Sequence, residues 1–148
     1  MDIKDFLSPD HVTLDVRAPD KVRLLQDLCR RAAEALGLDT GPVADAVLRR
    51  EELGSTGTGD GIAIPHARMA EVNKPFGVLA RLRKGIDYAS IDGKPVDLVF
   101  LLLLPQSAAG EQLNALASVA RKLRNAETTT ALRRAREPRD VYRTIADG

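Results

Sequence analysis

The stretch GSTGTGDGIAIPHARM, residues 54 to 69, packs four glycines into eight residues and then runs through Ile62, Ala63, Ile64 and Pro65 to His66. The residues after the glycines decide the fold. A phosphate-binding P-loop needs a second glycine, a lysine and a Ser or Thr opening a helix, and here Asp60 and Gly61 occupy the decisive positions. A dinucleotide fingerprint also runs into a helix, whereas Ile62 to Ile64 is β-like and Pro65 has no N–H to give one. Both nucleotide readings fail, and the segment leads into a short strand at Ile62 to Ile64. Taken alone, the glycines read as a loop whose residues need positive φ.

Upstream, His11 to Arg17 alternates Val12, Leu14 and Val16 with polar neighbours, the period-two pattern of a half-buried strand. Pro19 fits the first turn of a helix with Val22, Leu25, Leu28, Cys29, Ala32 and Leu36 on its apolar side and Gly37 as its stop. A second helix is capped by Thr40 or Gly41, starts at Pro42 and buries Val43, Val47 and Leu48. It ends where Gly54 takes a left-handed conformation. Its last turn carries Arg49, Arg50 and Glu51.

Downstream, strands are expected at Phe76 to Leu82 and Val96 to Leu104, with a turn at Asp92-Gly93 inside a link, GIDYASIDGKP, too long for a two-residue hairpin. Ser107 or a neighbour caps a long helix reaching about Asn125, with Leu113, Leu116, Ala117, Ala120 and Leu123 at helical spacing. Short helices at about Thr128 to Ala135 and Pro138 to Ile145 close the chain. Interleaved strands and helices specify an α/β sandwich, a mixed β-sheet flanked by helices, as a single domain over 1–148.

Composition narrows the chemistry. The 148 residues carry 22 basic and 21 acidic side chains, a net charge of +1, so no overall field favours nucleic acid or an anionic membrane. The apolar run at Leu98 to Leu104 falls far short of the ~20 residues that span a bilayer as a helix. The single cysteine, Cys29, forms no internal disulfide, and MDIKDFLSPD lacks the regions of a signal peptide; a cytoplasmic location is expected.

A metal site is disfavoured because two histidines and one cysteine give no cluster with ligand spacing. A serine hydrolase using Ser55, Ser90, Ser107 or Ser118 lacks the Gly-x-Ser-x-Gly elbow. His11, beside Pro9 and Asp10, reads as a structural histidine. His66 differs: Pro65 fixes φ before it and restricts Ile64, so the imidazole leaves a rigid sheet edge. The remaining reading makes His66 itself a nucleophile, titrating near the ordinary ~6.5 of an imidazole.

Arg50-Glu51, Gly54-Ser55-Thr56-Gly57 and Gly59 to His66, with IDGKPVDLVFLLLLP further on, resemble the enzyme IIA domains of the bacterial phosphotransferase system. Within the fructose/mannitol/nitrogen-regulatory family they look most like the nitrogen-regulatory type, over nearly the whole chain. The resemblance implies a mannitol-type enzyme IIA fold and a phosphoryl-transfer component with a phosphohistidine intermediate. His66 would take a phosphoryl group at Nε2 from a histidine phosphocarrier protein. Arg50 matches the family's active-site arginine and would clamp developing negative charge; its other reading is a helix-end cation favoured by the macrodipole. Ser55 and Thr56 either donate hydroxyls to the phosphoryl group or cap the loop. Gly57, with Gly59 and Gly61, would leave room for a partner's surface and expose N–H groups.

The chain departs from the family in AAGEQLNAL, where Gln112 stands in place of a second active-site histidine. An amide can hydrogen-bond a ring or a phosphate but carries no charge. No cofactor, nucleic acid or membrane insertion is implied. The downstream partner implied by the type is a sensor kinase or a potassium-transport regulator, and the sequence leaves monomer or homodimer open. Relay to a fructose or mannitol permease is the alternative function, and a fold kept purely for protein binding the third.

Overall fold

The computed structural model describes residues 1–106 and 109–147, and for Ala109, Glu111, Gln112 and Leu113 the backbone alone. In chain order the elements are β1 (Val12–Val16), α1 (Lys21–Leu36), α2 (Thr40–Leu53), β2 (Gly57–Gly59), β3 (Ile62–Ala63), β4 (His66–Met69), β5 (Phe76–Ile86) and β6 (Val96–Pro105). Three helices complete the chain: α3 (Ala109–Arg124), α4 (Ala126–Arg134) and α5 (Pro138–Asp147).

Strand β6 is central because its apolar run is continuous. Val99, Leu101 and Leu103 bury one face against α1 and α2, through Leu25, Leu28, Ala32, Val43 and Val47. Leu98, Phe100, Leu102 and Leu104 bury the other beneath α3 to α5, through Ala115, Val119, Leu132, Val141 and Ile145. A strand apolar on both faces is stable only between two layers of helices, and each fully buried side chain of this size stabilises the fold by about 1.5–3 kcal/mol. The sheet order is β1-β5-β6-β3-β2, and β4 also pairs with β6. Strands β5 and β6 are antiparallel, as are β2 and β3; β1 runs parallel to β5, and β3 and β4 parallel to β6. The expected mixed sheet flanked by helices is therefore observed.

Local departures each have a reason. Helix α1 starts at Lys21, not Pro19, because the Asp20 carboxylate accepts the Arg23 N–H at 2.8 Å and outcompetes the proline as an initiator. On its inner face Leu24 replaces Val22, which is 50% exposed. Helix α2 begins at Thr40 behind Asp39, with Pro42 in the first turn, where a missing N–H costs nothing. Gly54 is extended rather than left-handed (φ 162°), and the helix closes through the Gly54 N–H to the Glu51 carbonyl. The inner stripe of α3 runs through Ala115, Val119 and Leu123, leaving Ala117 exposed. The expected cap at Ser107 and the Leu113 side chain lie outside the described residues.

The segment before Ile62 reads as a loop in sequence, yet Gly57–Gly59 is a strand paired with β3. Asp60 and Gly61, at φ 58° and 82°, form its two-residue turn. Positive φ at both positions is the hairpin geometry that Asp-Gly favours. The same dipeptide at Asp92-Gly93 turns as expected: Gly93 has φ 71° and donates its N–H to the Ser90 carbonyl at 3.0 Å.

Candidate functional site

Strands β3 and β4 are two pieces of one strand line running along β6, interrupted at Ile64 and Pro65. Pro65 has no N–H, but its carbonyl accepts the Leu102 N–H at 2.9 Å, so the line stays attached to β6 across the break. The Ile64 N–H turns the other way and donates to the Thr56 carbonyl at 3.1 Å. His66 is therefore the first residue of β4 rather than the end of the preceding strand. It sits opposite Leu102, and parallel partners share a face, so its side chain projects on the side that α3 covers; Ala67 and Met69 take the α1/α2 side.

The ring is oriented by its own chain. Its Nδ1 lies 2.9 Å from the Ile64 carbonyl. A carbonyl only accepts, so in the neutral ring the proton resides on Nδ1 and the Nε2 lone pair is open. Half-burial pushes the His66 pKa below the ordinary imidazole value. The Ile64 hydrogen bond and the Glu51 charge oppose the shift, while the Arg50 and Arg68 charges add to it. Neutral imidazole is thus favoured at neutral pH more strongly than the sequence alone indicates.

This shift has a checkable consequence. Between the lowered folded value and the ~6.5 of an unfolded histidine, the unfolded chain holds more protons than the native one. The contribution of His66 to stability is complete above ~6.5 and is lost as pH falls through that window. We expect a ring titration midpoint below ~6.5 by NMR and a shallower acid loss of Tm in His66→Gln, a midpoint at or above ~6.5 being the contrary result.

Arg50 lies in the last turn of α2, and its Nη1 donates to the Gly54 carbonyl at 2.9 Å. No other partner engages its guanidinium among the described residues, so most of the fork is available beside His66. The Ser55 hydroxyl donates to the Tyr88 carbonyl (3.2 Å) and accepts the Gly57 N–H (3.1 Å). Thr56 is buried; its hydroxyl donates to Glu51 Oε1 and its N–H to Glu51 Oε2 at 3.2 Å. Gly57 is also buried, and a Cβ there would meet Ser90 Oγ at 2.2 Å; one on Gly61 would meet Arg133 and Asp97. The room these two glycines leave is filled by the protein itself, which corrects the expectation of space for a visitor. The Gln112 side chain lies outside the described residues, although its backbone belongs to the first turns of α3.

Sequence reasoning gave Glu51 no role of its own and omitted Lys21 and Tyr88. The Glu51 carboxylate is buried, accepts the Tyr88 hydroxyl at 3.1 Å and pairs with Lys21 Nζ at 2.8 Å; Lys21 Nζ also lies 4.4 Å from the centre of the Tyr88 ring. Burial drives the Tyr88 hydroxyl pKa far upward, so it stays a donor. The signal for such a cluster was Glu51 itself, a carboxylate on the inner side of a helix end.

His11 packs edge-on against Phe76, with ring centres 4.9 Å apart, and β5 and β6 separate it from β4. Cys29 is buried in the α1 layer, and desolvation pushes its thiol up to about 12, which rules it out as a thiolate nucleophile at neutral pH. Among the described residues no His, Cys, Asp or Glu cluster is placed to hold a metal, and no helix is long and apolar enough to cross a membrane.

Comparison with known proteins gives this geometry its context. A family model described as the phosphoenolpyruvate-dependent sugar phosphotransferase system, EIIA 2, matches residues 5–148. A nitrogen regulatory protein of Bradyrhizobium diazoefficiens is 41% identical over 146 residues, covering 99% of this chain and 95% of that one. The crystal structure of the nitrogen regulatory protein IIA-Ntr from Neisseria meningitidis superposes with a TM-score of 0.92 at 34% identity, over 97% of this chain and 98% of the other. The IIA mannitol structure from Escherichia coli, at 20% identity and a TM-score of 0.80 over 95% and 99% of the two chains, shares the fold.

Proposed function

We propose that this chain, which belongs to the EIIA 2 family of the phosphoenolpyruvate-dependent sugar phosphotransferase system, is a regulatory phosphoprotein of the nitrogen-regulatory type. It accepts a phosphoryl group on His66 from a histidine phosphocarrier protein. The observation that carries the reading is the Nδ1 contact to the Ile64 carbonyl, which leaves Nε2 as the open nitrogen of a ring held neutral by its surroundings.

Transfer between two imidazoles needs in-line alignment and donors for the phosphoryl oxygens, with little other covalent machinery. The Nε2 lone pair attacks phosphorus while the P–N bond to the donor ring breaks and its electrons return to that ring. His66 loses no proton in this step, because its proton is already on Nδ1, where the Ile64 carbonyl stabilises the charge that builds on the ring. The free part of the Arg50 fork meets the phosphoryl oxygens with planar, charge-assisted hydrogen bonds. Ser55, Thr56 and Gly57 contribute as the braced wall of the site, and the family resemblance alone gives Gln112 a part, as an uncharged hydrogen-bonding group in place of a second histidine. A cytoplasmic location and a sensor kinase or potassium-transport regulator as the downstream partner complete the proposal; they rest on the family resemblance.

Incubating the purified chain with phosphoenolpyruvate and the upstream phosphocarrier components, followed by intact mass, should show one acid-labile phosphoryl group. No mass gain under conditions that charge the phosphocarrier rejects the reading. Arg50→Lys keeps the charge but loses the fork, so phosphoryl uptake should slow by about tenfold or more, in line with the 1.5–3 kcal/mol of a charge-assisted hydrogen bond. Uptake at the wild-type rate reduces Arg50 to a helix-end cation.

A further inference from the structure

We infer that Glu51 is the positioning residue of this site, its buried carboxylate holding Thr56 where Thr56 and Ile64 together set the His66 ring with Nδ1–H bonded and Nε2 open. The inference rests on the reading that His66 acts through Nε2.

The carboxylate has about four acceptor positions, and all are used: Oε1 takes the Thr56 and Tyr88 hydroxyls, and Oε2 takes the Thr56 N–H and Lys21 Nζ. These donors come from the N-terminus of α1, the segment entering β2 and the link between β5 and β6. Glu51 is thus the point where three separate segments are joined to the end of α2. Arg50, one residue earlier, grips the Gly54 carbonyl, so the end of α2 holds Gly54 to Thr56 at both ends.

From Thr56 the constraint continues without a gap. Its carbonyl accepts the Ile64 N–H at 3.1 Å, and the Ile64 carbonyl faces His66 Nδ1 at 2.9 Å. Each link fixes the place of the next, so the carboxylate sets a ring it does not touch. A hydrogen bond to one imidazole nitrogen selects the tautomer and thereby the free nitrogen. Among the described residues the charged groups that act on the ring are Arg50 and Glu51 from α2 and Arg68 from β4, and Glu51 is the acidic one of the three. An ion pair serving stability alone would connect Lys21 to Glu51 without reference to this chain of contacts.

The test uses the full chain with 15N-labelled histidine, followed by NMR of the ring nitrogens from about pH 5 to pH 8, with phosphoryl uptake measured on the same samples. Wild type should show the Nδ1-protonated tautomer. In Glu51→Gln the tautomers should mix, the titration midpoint of His66 should fall because the Arg50 and Arg68 charges lose the acidic group that offsets them, and uptake should slow on the order of tenfold. Thr56→Val leaves the Glu51 charge in place and removes the hydroxyl; it should also mix the tautomers and slow uptake roughly threefold, with recovery in Thr56→Ser. If Glu51→Gln does not fold, the Thr56 pair decides. A folded Glu51→Gln or Thr56→Val protein with wild-type tautomer and uptake overturns the inference. Should wild type take no phosphoryl group on His66, the acceptor reading fails, and the tautomer measurement still decides the role of Glu51.

Discussion

His66→Ala is expected to abolish acid-labile phosphorylation while leaving a folded chain, and His11→Ala to leave labelling unchanged. The two histidines are the only imidazoles in the sequence, so together the variants test every possible phosphohistidine. His66 is half-buried at the edge of the sheet, and among the described residues its ring bonds only the backbone of its own segment, so removing it opens little of the core. Its lowered pKa means that wild type loses stability as pH falls below the ~6.5 of a free imidazole, because the unfolded chain takes up the proton more readily. His66→Ala lacks that loss and should show a smaller fall in Tm between about pH 7.5 and about pH 5.5 than wild type. His11 lies across β5 and β6 against Phe76, with no route to the same phosphoryl group. Intact mass and thermal unfolding of the three proteins make the comparison. Labelling of a folded His66→Ala protein at the wild-type rate would falsify the assignment.

Gly57→Ala should be the most damaging substitution in the glycine segment. The new Cβ would lie 2.2 Å from Ser90 Oγ, 3.0 Å from Ser90 Cβ and 3.1 Å from Ser90 Cα. A hydroxyl can rotate away from such a contact, but a Cα cannot, so the backbone of β2 must move. Overpacking of this kind costs about 1–3 kcal/mol, which for a chain of this size lowers Tm by roughly 2–4 °C per kcal/mol. Displacing β2 also draws Thr56 away from Ile64, so phosphoryl uptake should fall with stability. Ser90→Ala alone should be close to neutral, because its buried hydroxyl has no hydrogen-bond partner among the described residues. Gly57→Ala combined with Ser90→Gly should regain a substantial part of the lost Tm. A single Gly57→Ala variant melting within about 1 °C of wild type would mean the strand has slack that the geometry denies.

These two positions mark where sequence reading works and where it stops. His66 stands out as a candidate in the sequence because its signals are local: a proline that fixes φ, a β-like tripeptide before it, and the absence of any competing metal or nucleotide pattern. The central strand was equally legible, since a continuous apolar run must be buried on both faces. The hairpin of β2 and β3 was within reach of sequence as well. Asp60-Gly61 is a strong turn signal, and it was hidden by flanking glycines that supply no alternating apolar pattern.

The amino-acid sequence by itself determined the mixed sheet with helices on both sides, the candidate histidine held behind its proline, and the resemblance to enzyme IIA domains. Tertiary structure alone decided what the surrounding polar residues do. A sequence shows that Glu51, Thr56, Tyr88 and Lys21 can donate or accept, but not which of them meet, because hydrogen bonds between segments 5 to 37 residues apart depend on how the helices and links pack. It likewise could not show that Gly57 makes room for Ser90, or that the Ile64 carbonyl selects the ring nitrogen left open. Local propensity and period act over a few residues, whereas the partner of a buried polar group is fixed only when the core closes around it.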